Sequence, residues 1–282
     1  MEFRSEDQAW LAQFVLDELG IVIGEGKGSL LQARLLPVIR QFELDGPTEL
    51  MKSLRVLRQV EVRRAVLDAM TTNETSFFRD PQSFDSLRER VLPELLEARR
   101  AERALTIWVA ASSSGQEAYS LAMLLQEVIP DLAAWRVRIV ATDISSAMLE
   151  RTRQGVYSQY EVNRGMPAPL LVKHFERRGA KWAVKEDLRK MVEVREYNLV
   201  RPTSPAPRAD LVLLRNVLIY FDLPTRHQIL DRARAALRPD GYLVVSRTES
   251  LLEGRDLFEP AFGGSGGIFS PLRTSPAGRL AS

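Results

Sequence analysis

Residues 106–125 constrain the fold of this chain more than any other stretch. Residues 106–111 are apolar and able to form a strand, and four small residues follow, Ser112-Ser113-Ser114-Gly115. Between residues 116 and 128, leucine and valine recur at helical spacing. Open α/β sheets build nucleotide sites from such a strand, tight turn and helix, although most such units bind nothing. Because the stretch has no GxGxxG motif, a ligand site and an ordinary strand–helix unit both stay open.

The alternation of strand and helix continues towards the C-terminus. Strands are predicted at 137–143, 211–214 and 242–245, and helices at 145–154 and 224–237. This alternation indicates a parallel, doubly wound α/β sheet, in which ligands bind beyond the carboxyl ends of the strands.

Shorter elements complete this half of the chain. A helix is predicted at 170–175 and short strands at 182–184 and 191–194, with a turn at 239–241 and a closing hairpin around 263–267. Residues 271–282 are rich in Pro, Ser, Gly and Ala, which is typical of a disordered tail.

The first 70 residues carry no strand signal and are predicted to be helical. Ser5-Glu6-Asp7-Gln8 has the pattern of a capping box before the first helix. Pro37 should kink or split the second helix, and Asp80-Pro81 predicts a capped start for a later one. We therefore expect a small helical domain ahead of the sheet.

Composition excludes several classes of function. Cysteine is absent, and the two histidines, His174 and His227, are far apart in sequence. Thiol chemistry is therefore excluded, and no metal site is expected. The net charge of +2 does not imply nonspecific nucleic-acid binding. No apolar run reaches the roughly 18 residues of a membrane span, and the polar N-terminus is unlike a signal peptide. A cytoplasmic enzyme or binding protein is expected.

Two carboxylates stand at positions suited to a ligand. Asp143 ends a predicted strand, where it can accept hydrogen bonds from the ribose hydroxyls of an adenosine or cap the helix that follows. Glu117 lies in the first turn of the helix that begins near residue 116, where it can bind a ligand ammonium or complement the helix dipole. Both pairs of interpretations stay open.

Polar residues also follow two later strands. Arg215-Asn216 comes directly after the strand at 211–214, and the amide of Asn216 can both donate and accept hydrogen bonds. Tyr220 lies four residues on, and Asn198-Leu199 follows the short strand at 191–194. Ligand contact and ordinary packing are both open for these residues.

A polar cluster lies at the predicted junction of the two domains, in residues 71–79. It contains Asn73, Glu74, Thr75 and Arg79. A solvated linker is one interpretation, but two adjacent aromatic residues, Phe77-Phe78, would be unusual in an exposed linker. Domain junctions are common places for small-molecule sites.

Taken together, these segments resemble the chemotaxis receptor methyltransferases, the CheR family, from about residue 14 to residue 268. The motifs that carry the resemblance are NETSFFRD, SSSGQEAYSLAM, ATDIS, YNL, LLRNVLIYFD and LRPDGYLVVSRTES. The resemblance implies a Rossmann-like α/β sheet that binds S-adenosyl-L-methionine (SAM), a helical N-terminal domain and a small inserted antiparallel β subdomain. The implied boundaries are 1–70 for the helical domain, 71–92 for a linker contributing to the cofactor site, 93–270 for the methyltransferase domain with its β subdomain at about 178–194, and 271–282 for the tail.

The resemblance also implies the site. The residues it assigns to SAM are Asn73, Thr75, Arg79, Glu117, Asp143, Asn198, Leu199, Arg215 and Asn216. Arg79 and Tyr220 are expected to position the reactants. Pro37 and Val38 occupy second-helix positions that are often basic in the family, where Arg34 and Arg40 remain.

The implied activity is methyl transfer from SAM to glutamate side chains on the cytoplasmic helical bundle of chemoreceptors, with S-adenosyl-L-homocysteine as product. The protein is expected to act as a monomer, without nucleic acid and without inserting into a membrane. A methyltransferase of another carboxylate substrate and a non-catalytic SAM-binding signalling module stay open. An NAD-dependent oxidoreductase is disfavoured, because the turn lacks GxGxxG.

Overall fold

A computed structural model describes residues 3–24, 26–249, 251–264 and 267–272 of the chain. The N-terminal part is helical, as expected, and its apolar faces meet in one core that includes Leu11, Leu35, Leu50 and Val66. Its helices are α1 (Ser5–Leu19), α2 (Gly28–Gln41), α3 (Pro47–Arg55) and α4 (Val60–Met70).

Two details of these helices differ from the sequence prediction. The capping box does not form, because Ser5 already lies inside α1 and no side chain caps the helix. Asp7 is buried and instead pairs with Arg4, whose Nε lies 3.0 Å from Oδ2. Pro37 does not split α2, which runs through it as one helix; the proline is exposed, so the carbonyl that loses its donor can be hydrated.

Residues 81–98 form a continuous helical stretch that packs against the sheet. It consists of α5 (Pro81–Ser86), a π-helical turn at Leu87–Val91 and α6 (Leu92–Ala98). Asp80 precedes it but does not cap it, since its carboxylate accepts from the Ser83 hydroxyl at 2.7 Å and from no backbone N–H. Phe84 and Leu87 join the main core.

The rest of the chain alternates strands and helices. In order, the elements are β1 (Ala104–Ala110), α7 (Gln116–Val128), β2 (Arg136–Asp143), α8 (Ser146–Gln154), β3 (Val156–Ser158), α9 (Gln159–Asn163), α10 (Ala168–His174), β4 (Phe175–Arg178), β5 (Lys181–Val184), α11 (Glu186–Arg189), β6 (Val192–Glu196), β7 (Ala209–Leu213), α12 (Leu223–Ala236), β8 (Leu237–Val244), β9 (Phe258–Pro260) and β10 (Ile268–Pro271).

The predicted doubly wound α/β sheet is confirmed. Within the described residues the large sheet has the order β6-β2-β1-β7-β8-β10-β9. The first five strands in this order, β6, β2, β1, β7 and β8, run parallel, and β10 runs antiparallel to both of its neighbours, β8 and β9. Ile107 of β1 lies opposite Ile139 of β2 and Leu211 of β7. The strand order reverses at β1: β2 and β6 lie on one side of it, and β7 and β8 lie on the other. The topological switch point therefore lies between β1 and β7.

The turn expected at residues 239–241 lies inside β8 instead. The pairing of β7 with β8 shifts register there: Ala209 lies opposite Leu237 and Leu211 opposite Tyr242, so residues 238–241 form an irregularity within the strand. The expected closing hairpin is present, because β9 pairs antiparallel with β10. Of the predicted tail, only Pro271 and Leu272 are described, and Pro271 belongs to β10.

A second, small antiparallel sheet has the order β3-β5-β4. Its strands lie within residues 156–184, whereas the sequence placed a β subdomain at about 178–194. The difference arises because β6 leaves this subdomain and pairs parallel with β2, placing Glu193 opposite Val140 in the large sheet. The other domain boundaries stay a prediction.

Candidate functional site

A pocket opens at the carboxyl ends of β1, β2 and β7, beside the switch point. It encloses about 900 Å³ of space between atoms, counted out to its open mouth. Leu19 and Ile21 from the helical part and residues 71–75 from the following segment form part of its wall. The helical part is held there by polar contacts, including an antiparallel bridge between Ile21 and Phe221.

The structure brings every predicted site residue to this one pocket. The lining includes Asn73, Thr75, Arg79, Glu117, Asp143, Asn198, Leu199, Arg215, Asn216 and Tyr220. These residues span almost 150 positions of sequence. Those from Glu117 onward meet because parallel strands place the loops that follow them along one edge of the sheet. Asn73, Thr75 and Arg79 precede β1, and their segment is held there by hydrogen bonds from Ser113 and Arg215.

The loop between β1 and α7 forms the floor of the pocket. Ala111, Ser112 and Ser113 line it, and Ala111 and Ser113 adopt left-handed backbone conformations with φ of 52° and 51°. Such strained backbone concentrates at functional sites. The hydroxyl of Ser112 is buried and has no hydrogen-bond partner within the described residues.

Gly115 is not part of the pocket lining. Its φ is +87°, and a Cβ there would lie 2.6 Å from Cγ2 of Thr152 on α8. Glycine is therefore required at this position by the backbone conformation and by the close packing of α8. Only the first part of the small-residue turn faces the pocket.

Asp143 bridges two loops at the pocket floor. Its Oδ2 accepts the N–H of Ser113 at 2.8 Å, and its Oδ1 accepts the N–H of Ser145 at 2.9 Å. The helix cap is Ser145, whose hydroxyl accepts from the N–H of Met148, so the alternative role of Asp143 as the cap of α8 is wrong. Burial raises the pKa of the Asp143 carboxyl, and the backbone donors at Ser145 and Ser113 oppose that shift. A carboxylate has about four accepting sites, so Asp143 can accept a further hydrogen bond from a ligand hydroxyl.

Glu117 and Arg215 form an ion pair at the pocket wall. Their side chains are only 13% and 2% exposed. Arg215 also donates to the carbonyl oxygen of Arg79 at 2.7 Å and lies 3.7 Å from the carboxylate of Asp80. The charge of Glu117 is therefore held by a cation that is itself fixed to the neighbouring segment.

Residues 73–79 close over the floor from one side. The hydroxyl of Ser113 donates to the carbonyl oxygen of Asn73 at 2.8 Å, and the N–H of Phe78 donates to the hydroxyl of Ser120 at 2.9 Å. Phe77 is fully buried, so residues 71–79 do not form a freely solvated linker. Arg79 donates to the carbonyl of Glu74 at 2.8 Å within the same segment.

Asn198 and Leu199 lie in the pocket wall with their polar groups engaged elsewhere. The Asn198 amide donates to the carbonyl of Glu18 at 2.8 Å and accepts from the N–H groups of Val200 and Arg201 at 2.8 and 3.0 Å. The carbonyl of Leu199 accepts from Arg232 at 2.7 Å. In this arrangement the Asn198 amide ties the wall to α1, which a motif alone could not indicate.

Sequence reasoning missed part of the lining, including Thr71, Thr72 and Tyr197. Arg34 of α2 donates to the carbonyls of Met70 and Thr71 at 2.6 and 2.9 Å and to the Thr72 hydroxyl at 2.9 Å. These contacts join α2 to the pocket rim across more than 30 residues of sequence, so no local signal could have predicted them.

The hydrogen-bonding groups of the pocket suit a ligand with a ribose and an ammonium group. They include the carboxylates of Asp143 and Glu117 and the orphaned hydroxyl of Ser112. Two guanidinium groups also line the pocket: Arg215 is paired with Glu117, and Arg79 donates to the carbonyl of Glu74.

Comparison with known proteins decides the family. Residues 73–265 match the family model described as CheR methyltransferase, SAM binding domain. This chain belongs to the CheR family.

Named CheR relatives match most of the chain. Chemotaxis protein methyltransferase 1 of Vibrio cholerae serotype O1 is 38% identical over 251 residues, which covers 88% of this chain and 90% of that protein. Chemotaxis protein methyltransferase 1 of Pseudomonas aeruginosa is 40% identical over 243 residues, covering 84% and 88%. The chain is therefore a SAM-dependent methyltransferase, as its motifs predicted. Among its described residues, no helix combines the length and apolar character needed to cross a bilayer.

Proposed function

We propose that this CheR protein forms methyl esters on glutamate side chains of the cytoplasmic helical bundle of chemoreceptors, acting in the cytoplasm as a monomer. One observation carries the proposal: all ten residues that the motifs assign to SAM and to the reaction line a single pocket. The naming of the curated relatives as chemotaxis methyltransferases supports a chemoreceptor as the methyl acceptor.

Each part of the pocket then has a role towards the cofactor. Asp143 would accept the ribose hydroxyls through the lone pairs that Ser113 and Ser145 leave free. Glu117 would face the ammonium of the methionine part, while Arg215 fixes the carboxylate in place. Arg79 would bind a carboxylate of the cofactor or of the substrate.

The chain's own residues need do little covalent chemistry. When bound, SAM would supply a methyl group carried on a sulfonium sulfur. Transfer would join the methyl carbon to an ionised carboxylate oxygen and break the carbon–sulfur bond, whose electron pair stays on the sulfur of S-adenosyl-L-homocysteine. A glutamate side chain is ionised at neutral pH, so no residue of the pocket has to act as a general base. The pocket contributes mainly by holding the carboxylate in line.

The apolar part of the wall favours this reaction. Leu19, Ile21 and Phe221 line the pocket beside the polar floor. The positive sulfonium of SAM and the negative glutamate carboxylate would lose their charges as the methyl group is transferred. A site that excludes water would therefore promote the transfer. Tyr220, half-buried in the same wall, would position the reacting carboxylate.

The helical part, residues 1–70, would present the receptor to the pocket. The Asn198 amide holds the end of α1 to the pocket wall, and the hydroxyl of Ser146 donates to the carboxylate of Asp68 at 3.0 Å. Residues 71–92 would form the linker that contributes to the cofactor site, and residues 93–270 the methyltransferase domain.

The experiment is transfer of a labelled methyl group from SAM to receptor cytoplasmic fragments. We expect alkali-labile label on the fragment, and loss of that label when the modified glutamates of the fragment are replaced by glutamine. Free glutamate serves as the competing small carboxylate. Label on small carboxylates but not on any fragment, or SAM binding without transfer, would contradict the proposal.

A further inference from the structure

Three backbone N–H groups converge on the carboxylate of Glu249. Its Oε2 accepts from Asn216 at 2.8 Å and from Ser246 at 3.0 Å, and its Oε1 accepts from Leu218 at 3.1 Å. Asn216 and Leu218 follow β7, whereas Ser246 follows β8. One side chain therefore joins the loops that leave two neighbouring strands.

Asn216 is the member of this group that reaches the pocket. Its backbone is left-handed, with φ of 56°, a conformation that asparagine tolerates better than most residues but that is still costly. Within the described residues its side-chain amide makes no hydrogen bond, although it lies in the pocket lining. The amide is thus available to a ligand, and the backbone that carries it is held by Glu249.

We propose that Glu249 is a positioning residue for the cofactor. Its carboxylate holds the Asn216 backbone in the left-handed conformation and so keeps the Asn216 amide at the pocket wall. Glu249 is not part of the pocket lining itself, so it acts through Asn216. The inference rests on the proposed function in one respect, that this pocket is the SAM site.

The chemistry of the side chain explains why a carboxylate stands there. A carboxylate has two accepting oxygens and no donor, and its hydrogen bonds to backbone N–H groups are charge-assisted. Glutamine has one accepting oxygen, and its NH₂ group can only donate. Glu249→Gln therefore loses at least one of the three bonds while keeping the size of the side chain.

A double-mutant cycle on SAM affinity separates positioning from general structural support. Calorimetric titration with SAM compares the wild type, Glu249→Gln, Asn216→Ala and the double variant. We expect Glu249→Gln to weaken SAM binding about fivefold in the wild-type background, and by less than about twofold when Asn216 is already alanine. Glu253→Gln is the matched control, because its carboxylate accepts from Arg226 at 3.4 Å and has no backbone N–H donor in the described part of the chain.

Hydrogen exchange in the cofactor-free protein gives a second readout. The amides of Asn216 and Leu218 should exchange faster in Glu249→Gln and at the wild-type rate in Glu253→Gln. If Glu249→Gln does not fold, Glu249→Asp, which keeps the charge on a shorter stem, should show the same two effects.

Three results would overturn the positioning role: unchanged SAM affinity, an equal loss in both backgrounds, or amides that stay protected. If the wild type binds SAM and only these readouts fail, the proposed function stands without a role for Glu249. If the wild type binds no SAM, both inferences fail.

Discussion

The carboxylate of Glu117 and the guanidinium of Arg215 pair across the switch point of the sheet. Glu117 lies in the first turn of α7, the helix after β1, and Arg215 stands two residues beyond β7. Because Arg215 also donates to the carbonyl of Arg79, the pair joins three segments that line the same pocket. It is therefore a structural contact within the lining of the proposed SAM pocket.

Replacing Arg215 by methionine leaves the mostly buried charge of Glu117 without a partner. We expect a loss of about 3 kcal/mol in the free energy of unfolding, since breaking a buried pair costs far more than removing both of its members. The double variant Glu117→Gln/Arg215→Met should recover more than half of that loss. Urea unfolding of the wild type, Arg215→Met and the double variant gives the three free energies of unfolding.

Arg138→Met is the matched control for that measurement. Arg138 pairs with Glu193 at 2.6 Å, but the two side chains are 45% and 39% exposed. An exposed pair contributes at most about 1 kcal/mol. Equal losses for Arg138→Met and Arg215→Met would show that burial of the Glu117 pair has no energetic consequence.

Gly165 should tolerate no side chain, because the backbone of residues 73–79, which border the pocket, passes directly over it at Phe77. A Cβ at this position would lie 2.1 Å from the carbonyl oxygen of Phe77, and φ is +89°. Gly179→Ala isolates the cost of the backbone conformation, since its φ is +60° and nothing lies within 4 Å of its Cβ. We expect Gly165→Ala to lose at least about 2 kcal/mol more than Gly179→Ala in urea unfolding, from the steric clash.

A smaller difference between the two alanine variants would mean that the backbone at Phe77 yields easily. In that case residues 71–79 could not act as a fixed wall of the pocket. SAM affinity of Gly165→Ala, measured on the folded protein, should fall together with its stability.

His174 should make folding stability depend on pH. The imidazole is 2% exposed, and its burial, with help from the charge of Lys173, lowers its pKa below the ordinary value. The unfolded chain then binds more protons than the native protein as the pH falls below about 6.5. The contribution of His174 to the free energy of unfolding is therefore fully present above that pH. It declines below it, by up to about 1.4 kcal/mol per pH unit.

Urea unfolding at pH 8 and pH 5.5 tests this effect. His174→Leu should reduce the loss of stability between the two values. An identical pH dependence in the wild type and in His174→Leu would contradict the assignment.

The positions of the site residues could be predicted from the sequence because their signals are local. Asp143 ends β2, Glu117 lies in the first turn of α7, and Arg215 follows β7. Strand and helix periodicity locate each of these points, and the parallel sheet brings the strand ends together. The gross fold follows from the same periodicity, whereas Asn73, Thr75 and Arg79 follow no strand and were assigned to the site only through the resemblance to the CheR family.

The hydrogen-bond partners of these residues could not be predicted, because they lie far away in sequence. The Asn198 amide meets the Glu18 carbonyl across 180 residues, and Arg34 meets Thr72 across 38. Local propensity also failed where tertiary contacts compete with it. Asp7 pairs with Arg4 where a capping box was expected, and β6 joins the large sheet where a subdomain strand was expected.

Calorimetric titration of SAM into the wild type and Asp143→Ala tests the central claim, that this pocket holds the cofactor on a floor built around Asp143. Asp131→Ala is the control, since that carboxylate is 59% exposed and pairs with Arg103 at the surface. The account predicts that Asp143→Ala, still folded by its unfolding transition, raises the SAM dissociation constant at least about tenfold through loss of charge-assisted hydrogen bonds. The control should match the wild type. A dissociation constant for Asp143→Ala equal to that of the wild type would contradict the account.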